Sequence, residues 1–263
     1  MRSSSVKGNN NLGFIQAWSK ERSIILGSVG CNKGGGEVPK IPELLELLNL
    51  TDCLVTVDAG NARSSVANAI VDKGGDYLMT IKRNEGSLYN KLESIFKGNL
   101  AEEVKNYDEF EIAEYGHGRM DYRYCVVIES DDFEHLDLLA RWPKMKTIGM
   151  IQSLRIEDNN DGETESRARF FISSSKLNGE DLYHSARGHW AIENNLHWVL
   201  DVAFNEDDDR KKDKKSASNI AMLRRFAVSI MKKKKEEIKI SYNRLRKKCH
   251  MDVKLLGDVI LGT

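Results

Sequence analysis

The sequence predicts an α/β fold, with a mixed core interrupted by a β-rich segment and followed by a helical, basic C-terminal region. Three observations predict it. A strand–helix–strand run occupies residues 54–81. Runs of β-branched and aromatic residues dominate 108–130 and 145–173. From about Gly179 onward the apolar spacing is helical, and lysine and arginine accumulate toward the end.

In chain order, residues 12–30 (LGFIQAWSKERSIILGSVG) read as two short strands around a polar turn at Ser19–Arg22. IPELLELL at 41–48 reads as a helix with Pro42 in its first turn, where a missing N–H costs nothing. Leu54–Val57 is a short buried strand that ends in Asp58-Ala59-Gly60, a way to set a carboxylate at a sheet's C-terminal edge. A helix follows over 62–73, closed by Gly74-Gly75, then a strand at Tyr77–Ile81 and Lys82-Arg83-Asn84. This spacing implies a βαβ crossover and a partly parallel sheet. MDYRYCVVI, KTIGMIQSLRI and RARFFISS supply the later strands. The expected division is a core of 1–82 and 175–225, a β-rich insertion at 83–174, and a basic helical tail at 226–263.

Composition narrows the class. Charged residues are 30% and hydrophobic residues 40% of 263, which excludes a disordered chain. No apolar run reaches about 18 residues, so no membrane helix is expected, and the start has no secretory pattern. The four cysteines are scattered without a CxxC pair, which points away from structural zinc or disulfides and toward a reducing, cytoplasmic setting. Net charge is +0, yet Arg210–Lys248 carries 16 Lys or Arg against three acids. Such a block is the footprint of a polyanion binder, although a solvated helix face has the same composition.

The densest chemistry lies at 187–210, RGHWAIENNLHWVLDVAFNEDDDR. At about 100° per residue, Ile192, Leu196, Val199 and Ala203 form a core stripe, with Glu193 at its flank. His189 and His197 stand four residues to either side of Glu193. Three readings are open: local hydrogen bonds among these groups, a zinc site of His189, Glu193 and His197, or a hard divalent site that pairs Glu193 with Asp58. The zinc reading would make a hydrolase unrelated to DNA. Trp190 and Trp198 neighbour the stripe and are expected to pack. His117 and Arg119 precede a strand and read as DNA contacts or as an ordinary charged turn.

VTVDAGNAR, GGDYLMTIKRN, HGRMDYR, WPKMKTIGMI, HWAIENNLHWVLDVAFNEDDDR and NIAMLRR, in that order, resemble DDE transposases of the H-repeat-associated, ISAs-type insertion-sequence group. The resemblance runs from the first residues to about Arg225. It implies an RNase H-like core with the β insertion before the helix of the catalytic Glu. It also implies Mg²⁺- or Mn²⁺-dependent DNA cleavage and strand transfer, with Asp58 and Glu193 as catalytic metal ligands. Lys82 and Asn84 match a polar pair beside that site. With Arg119, Lys211, Lys212, Arg224 and Arg225 they are the expected DNA contacts. The implied partners are double-stranded DNA at element ends and target, and further copies of the chain. The implied setting is the nucleoid in the cytoplasm, with no membrane.

Glu85 stands where the family usually has Gln, and Asp121 where HGR is usually followed by Glu. The family's first catalytic Asp lies in a DGK-type motif ahead of the segment resembling MRSSSVKGNN, which places that Asp, and the first central strand, upstream of Met1. The alternative expectation is therefore a truncated, catalytically inactive relative that binds DNA only.

Overall fold

A computed structural model gives the fold. It describes residues 12–32, 36–98, 106–116, 118–129, 141–157, 165–206, 208 and 213–262, with the backbone alone at Leu12, Glu165, Ala191, Glu193, Asn194 and Lys214. The chain divides into two compact units. One is Asn49–His189, and the other joins the segment ending at Leu48 to the segment beginning at Trp190.

The first unit is built on a six-stranded sheet in the order β3-β4-β8-β7-β6-β5. The strands are β3 (Leu54–Val57), β4 (Asp76–Ile81), β5 (Tyr107–Gly116), β6 (Arg119–Glu129), β7 (Thr147–Glu157) and β8 (Glu165–Ser173). β3 and β4 are parallel, as the strand–helix–strand spacing predicts, with α2 (Ser64–Asp72) between them in sequence. Every other pairing is antiparallel. Because β8 pairs with β4, the β-rich segment extends the sheet that β3 and β4 begin.

Two helices cover opposite faces of β8, which explains its unbroken burial from Phe170 to Ser173. α4 (Gly179–Ile192) lays Leu182 and Tyr183 on Cys125, Ile151 and Phe171. A Cβ at Gly149 would stand 2.5 Å from Leu182 Cδ2, so the close approach of helix to β7 requires glycine there. On the other face, α3 (Gly86–Lys97) stacks Phe96 on Phe170 at 5.8 Å and sets Tyr89 edge-on to it at 5.3 Å. α3 falls inside 83–174, expected as β-rich, yet Leu88, Leu92, Ile95 and Phe96 have helical spacing and are buried. The start of α4 is fixed by side chains: Asn178 accepts from Asp181 N, and Asp108 of β5 accepts from Gly179 N, each at 2.7 Å.

In the second unit, β1 (Leu12–Ser19) and β2 (Ile24–Asn32) form an antiparallel hairpin with a bulge at Ala17/Trp18. α1 (Ile41–Glu46) packs on it through Ile41, Leu44 and Leu45. The remaining helices are α5 (Trp198–Phe204), α6 (Lys214–Glu237), α7 (Tyr242–Met251) and α8 (Val253–Leu261). A five-residue π-helical turn, Glu193–His197, links α4 to α5. The expected stripe of Ile192, Leu196, Val199 and Ala203 is buried, joined by Leu200 and by Val228 of α6. The last helices pack rather than fray, with Met231, Leu245, Cys249 and Val259 in one cluster. Asp213, Ser241 and Asp252 cap α6, α7 and α8 by accepting from backbone N–H groups.

Candidate active site

Asp58 follows β3 directly, at the first position after the strand, and is half-buried. The chain turns there, with Asn61 N donating to the Asp58 carbonyl at 3.1 Å. The buried Asn61 side chain then donates from Nδ2 to Asp58 Oδ1 at 3.0 Å. Gly60 leaves room for the other oxygen, since a Cβ there would come within 3.3 Å of Asp58 Oδ2. One carboxylate oxygen is thus held in place while the other lies over a glycine.

The following loop braces the turn. Asn84 donates from Nδ2 to the Ala59 carbonyl at 2.8 Å. Arg63 donates to the Ala62 carbonyl at 2.6 Å and to Glu85 at 3.2 Å. Glu85, a departure from the family pattern, is therefore the partner of Arg63. Lys82 lies just past β4 and is exposed. Sequence reasoning missed Asn61, although an Asn three residues after an Asp in a Gly-containing turn is a signal for this kind of brace.

Glu193 opens the π turn, and its side chain is outside the described residues. Four residues earlier, His189 Nδ1 lies 3.0 Å from Thr56 Oγ1 on β3. A Thr hydroxyl at that nitrogen is what the local hydrogen-bond reading expects. Among the described residues no three His, Cys, Asp or Glu groups cluster as a metal site. The chemistry of Asp58, a carboxylate with one oxygen braced by an amide and little else charged beside it, fits a hard divalent ion that keeps several waters.

The expected DNA contacts divide. Arg119 opens β6, with Nε 3.5 Å from Asp121 Oδ2; His117, Lys211 and Lys212 are outside the described residues. Asp121 also accepts from Arg155 Nε at 3.1 Å and lies 3.7 Å from Arg123 NH2. Burial raises its carboxyl, but the Arg155 hydrogen bond and the charges of Arg155, Arg119 and Arg123 outweigh that and hold it below the usual range. Arg224 is half-buried on α6.

Arg225 departs from its expected role. It is 3% exposed and Glu206 is 1% exposed, and they pair bidentately, NH1 to Oε1 at 2.5 Å and NH2 to Oε2 at 3.0 Å. The guanidinium also donates to the Ala221 carbonyl at 2.8 Å and stacks 4.6 Å over Phe14. With its amide oxygen turned inward, buried Gln16 accepts from Arg225 Nε and NH2. Arg225 is a core residue and offers nothing to a phosphate. Trp198, expected to pack, is 60% exposed.

The four cysteines are free, with Cys53 exposed and Cys31, Cys125 and Cys249 buried. Among the described residues no helix is long and apolar enough to cross a membrane.

The sequence profile of the Transposase DDE domain matches residues 20–230. "Putative transposase YncI" of Escherichia coli O157:H7 is 32% identical over 247 residues, covering 94% of this chain and 63% of that protein. "H repeat-associated putative transposase YhhI" of Escherichia coli K12 is 32% identical over 252 residues, covering 95% of this chain and 65% of that protein. The chain thus spans a little under two thirds of the length of these relatives. A solved piggyBac transposase synaptic complex aligns at TM-score 0.44 and 9% identity over 84% of this chain and 40% of its own, too weakly to bear on the fold. With four fifths of its length inside the profile and an acid braced at the end of β3, the chain belongs to the Transposase DDE domain family.

Proposed function

We propose that the chain acts on DNA as an insertion-sequence transposase, cutting at element ends and joining them to a target. The observation that carries this reading is the match to the transposase profile across the stretch that holds both Asp58 and Glu193. In this reading the fold is RNase H-like, its core being 1–82 and 175–225, with 83–174 inserted before the helix of the second acid.

Asp58 and Glu193 are the residues that would hold Mg²⁺ or Mn²⁺. Bound ions at such carboxylates supply Lewis-acid stabilisation of the attacking and leaving oxygens in phosphodiester chemistry. The protein's own groups do the rest. Asn61 fixes the rotamer of Asp58, and Asn84 holds the turn by its Ala59 carbonyl. Lys82 and Arg119, with Arg224 and the Lys211-Lys212 pair, bind phosphates and set the register of the duplex. The working form is a homo-oligomer associated with the nucleoid.

The test uses a labelled fragment carrying the sequences that flank the gene, incubated with the chain and Mg²⁺ or Mn²⁺. Asp58→Asn and Glu193→Gln should each abolish cleavage while leaving DNA binding nearly intact. Cleavage retained by either variant removes the assignment. Salt-sensitive binding with no cleavage by the unaltered chain selects the alternative, a relative that only binds DNA.

A further inference from the structure

A cavity of about 710 Å³ opens in the second unit between the β1–β2 turn, α5, and the junction of α6 with α7. Its size suits a nucleotide or two rather than a single ion. Three aromatic residues line it, Trp18, Trp198 and Tyr242, as do three lysines, Lys232, Lys235 and Lys239. Glu236 is the one acid among the described lining residues, and Lys232 lies 3.7 Å from it.

The aromatic and basic groups are arranged for use. Trp198 leaves 60% of its surface exposed on the outer side of α5, and Val202, one turn on, is 46% exposed. Exposing an indole beside an aliphatic side chain forfeits burial that the helix could have had, so an occupant is implied. Lys235 sits 5.5 Å over the Tyr242 ring. Burial and then Glu236 push the Tyr242 phenol up to about 12, so the ring is neutral at working pH. Lys232 donates to the Arg22 carbonyl at 3.1 Å, tying α6 to the hairpin turn. Lys239 is exposed, in a left-handed conformation that ends the basic run of α6.

π-faces alternating with ammonium groups select a chain that carries both bases and phosphates. In a B-form duplex the base faces are stacked on one another, so only an unpaired strand can use Trp198. Trp198 follows Glu193 by five residues across the π turn. We infer that this cavity binds an unpaired DNA strand, stacking a base on Trp198 and taking phosphates on Lys235 and Lys239. This deepens the proposed DNA chemistry and rests on it. It would give the protein a hold on the frayed end that cutting exposes.

The experiment measures fluorescence anisotropy of labelled oligothymidylate of about 12 nucleotides and of a duplex of the same length, against the chain and its Trp198→Ala and Lys239→Gln variants. Trp198→Ala should weaken single-strand binding about tenfold and duplex binding less than about twofold. Lys239→Gln should lower the single-strand salt slope by about 0.7, a readout that stands even if the tryptophan variant fails to fold. Equal losses on both substrates, or none on the single strand, overturn the cavity assignment while the duplex reading survives. Tighter binding of oligouridylate than of oligothymidylate overturns the choice of DNA. Absence of salt-dependent binding to either DNA form overturns the DNA reading itself.

Discussion

Thr56 Oγ1 and His189 Nδ1 lie 3.0 Å apart, so a hydroxyl two residues before Asp58 holds the imidazole four residues before Glu193. The bond fastens α4 to β3 within one compact unit. Thr56→Val keeps the β-branched shape and removes the hydroxyl. It should lower stability by about 1 kcal/mol, the usual net value of one hydrogen bond, read as a shift in urea midpoint with an unchanged slope.

Asp58 needs its neighbours as much as its own charge. Asp58→Asn retains an oxygen that can accept from Asn61, so the fold should persist with near-native circular dichroism while Mg²⁺-dependent cleavage disappears. Gly60→Ala crowds Oδ2, and Asn61→Ala frees Oδ1. Both should raise the Mg²⁺ concentration for half-maximal cleavage more than they lower the rate at saturation.

Arg225 and Glu206 form a pair whose halves cannot be lost singly. Arg225→Ala or Glu206→Ala leaves a buried charge uncompensated and should cost about 3–5 kcal/mol. The double change Arg225→Met with Glu206→Leu should cost less than either, because both charges go together. Denaturant unfolding of the three variants checks this. Additive losses would show that the two groups act independently.

The same pair marks where the sequence was readable and where it was not. Asp58 was legible because a β-branched run ending in Asp-Ala-Gly has few other uses, and the stripe from Ile192 to Ala203 because its spacing is helical. Arg225 was hidden among a run of basic residues. Its place shows only when α6 is treated as a helix, where Ala221, Arg225, Val228 and Met231 share the buried side. Trp198 was misplaced because sequence neighbours are not helix neighbours: at about 100° per residue it falls far round from Leu196 and Leu200. Asn61 was missed because its role, orienting one oxygen of Asp58, leaves no periodic trace.

Thiol reactivity should separate the cysteines. Cys53 is exposed, whereas burial raises Cys31, Cys249 and Cys125, the last to about 11 despite the opposing charge of Arg123. At neutral pH one thiol should react quickly with an aromatic disulfide reagent and three should wait for unfolding. A second fast thiol would show that a buried cluster opens readily.

Acid should loosen the far end of the sheet. The Asp121 carboxyl is held below its ordinary value of 3.8, so the folded state binds that proton less readily than the unfolded chain. Its contribution is present above about pH 4 and is lost as pH falls through the lower, folded value. Asp121→Asn should therefore flatten the acid limb of a stability profile and leave the alkaline limb unchanged.

The π turn at Glu193–His197 bears on how this stretch tolerates change. Such a turn holds one residue more than α-helical spacing needs. Deleting any one residue between Asn194 and Leu196 would let the helix run straight, but would rotate everything beyond it by about 100°. Val199, Leu200 and Ala203 would swing off the core, and Trp198 would leave its cavity. Substitutions there change side chains one at a time, whereas a loss or gain of length turns the whole following helix, so this is where a lineage should keep its residue count fixed even as its letters drift.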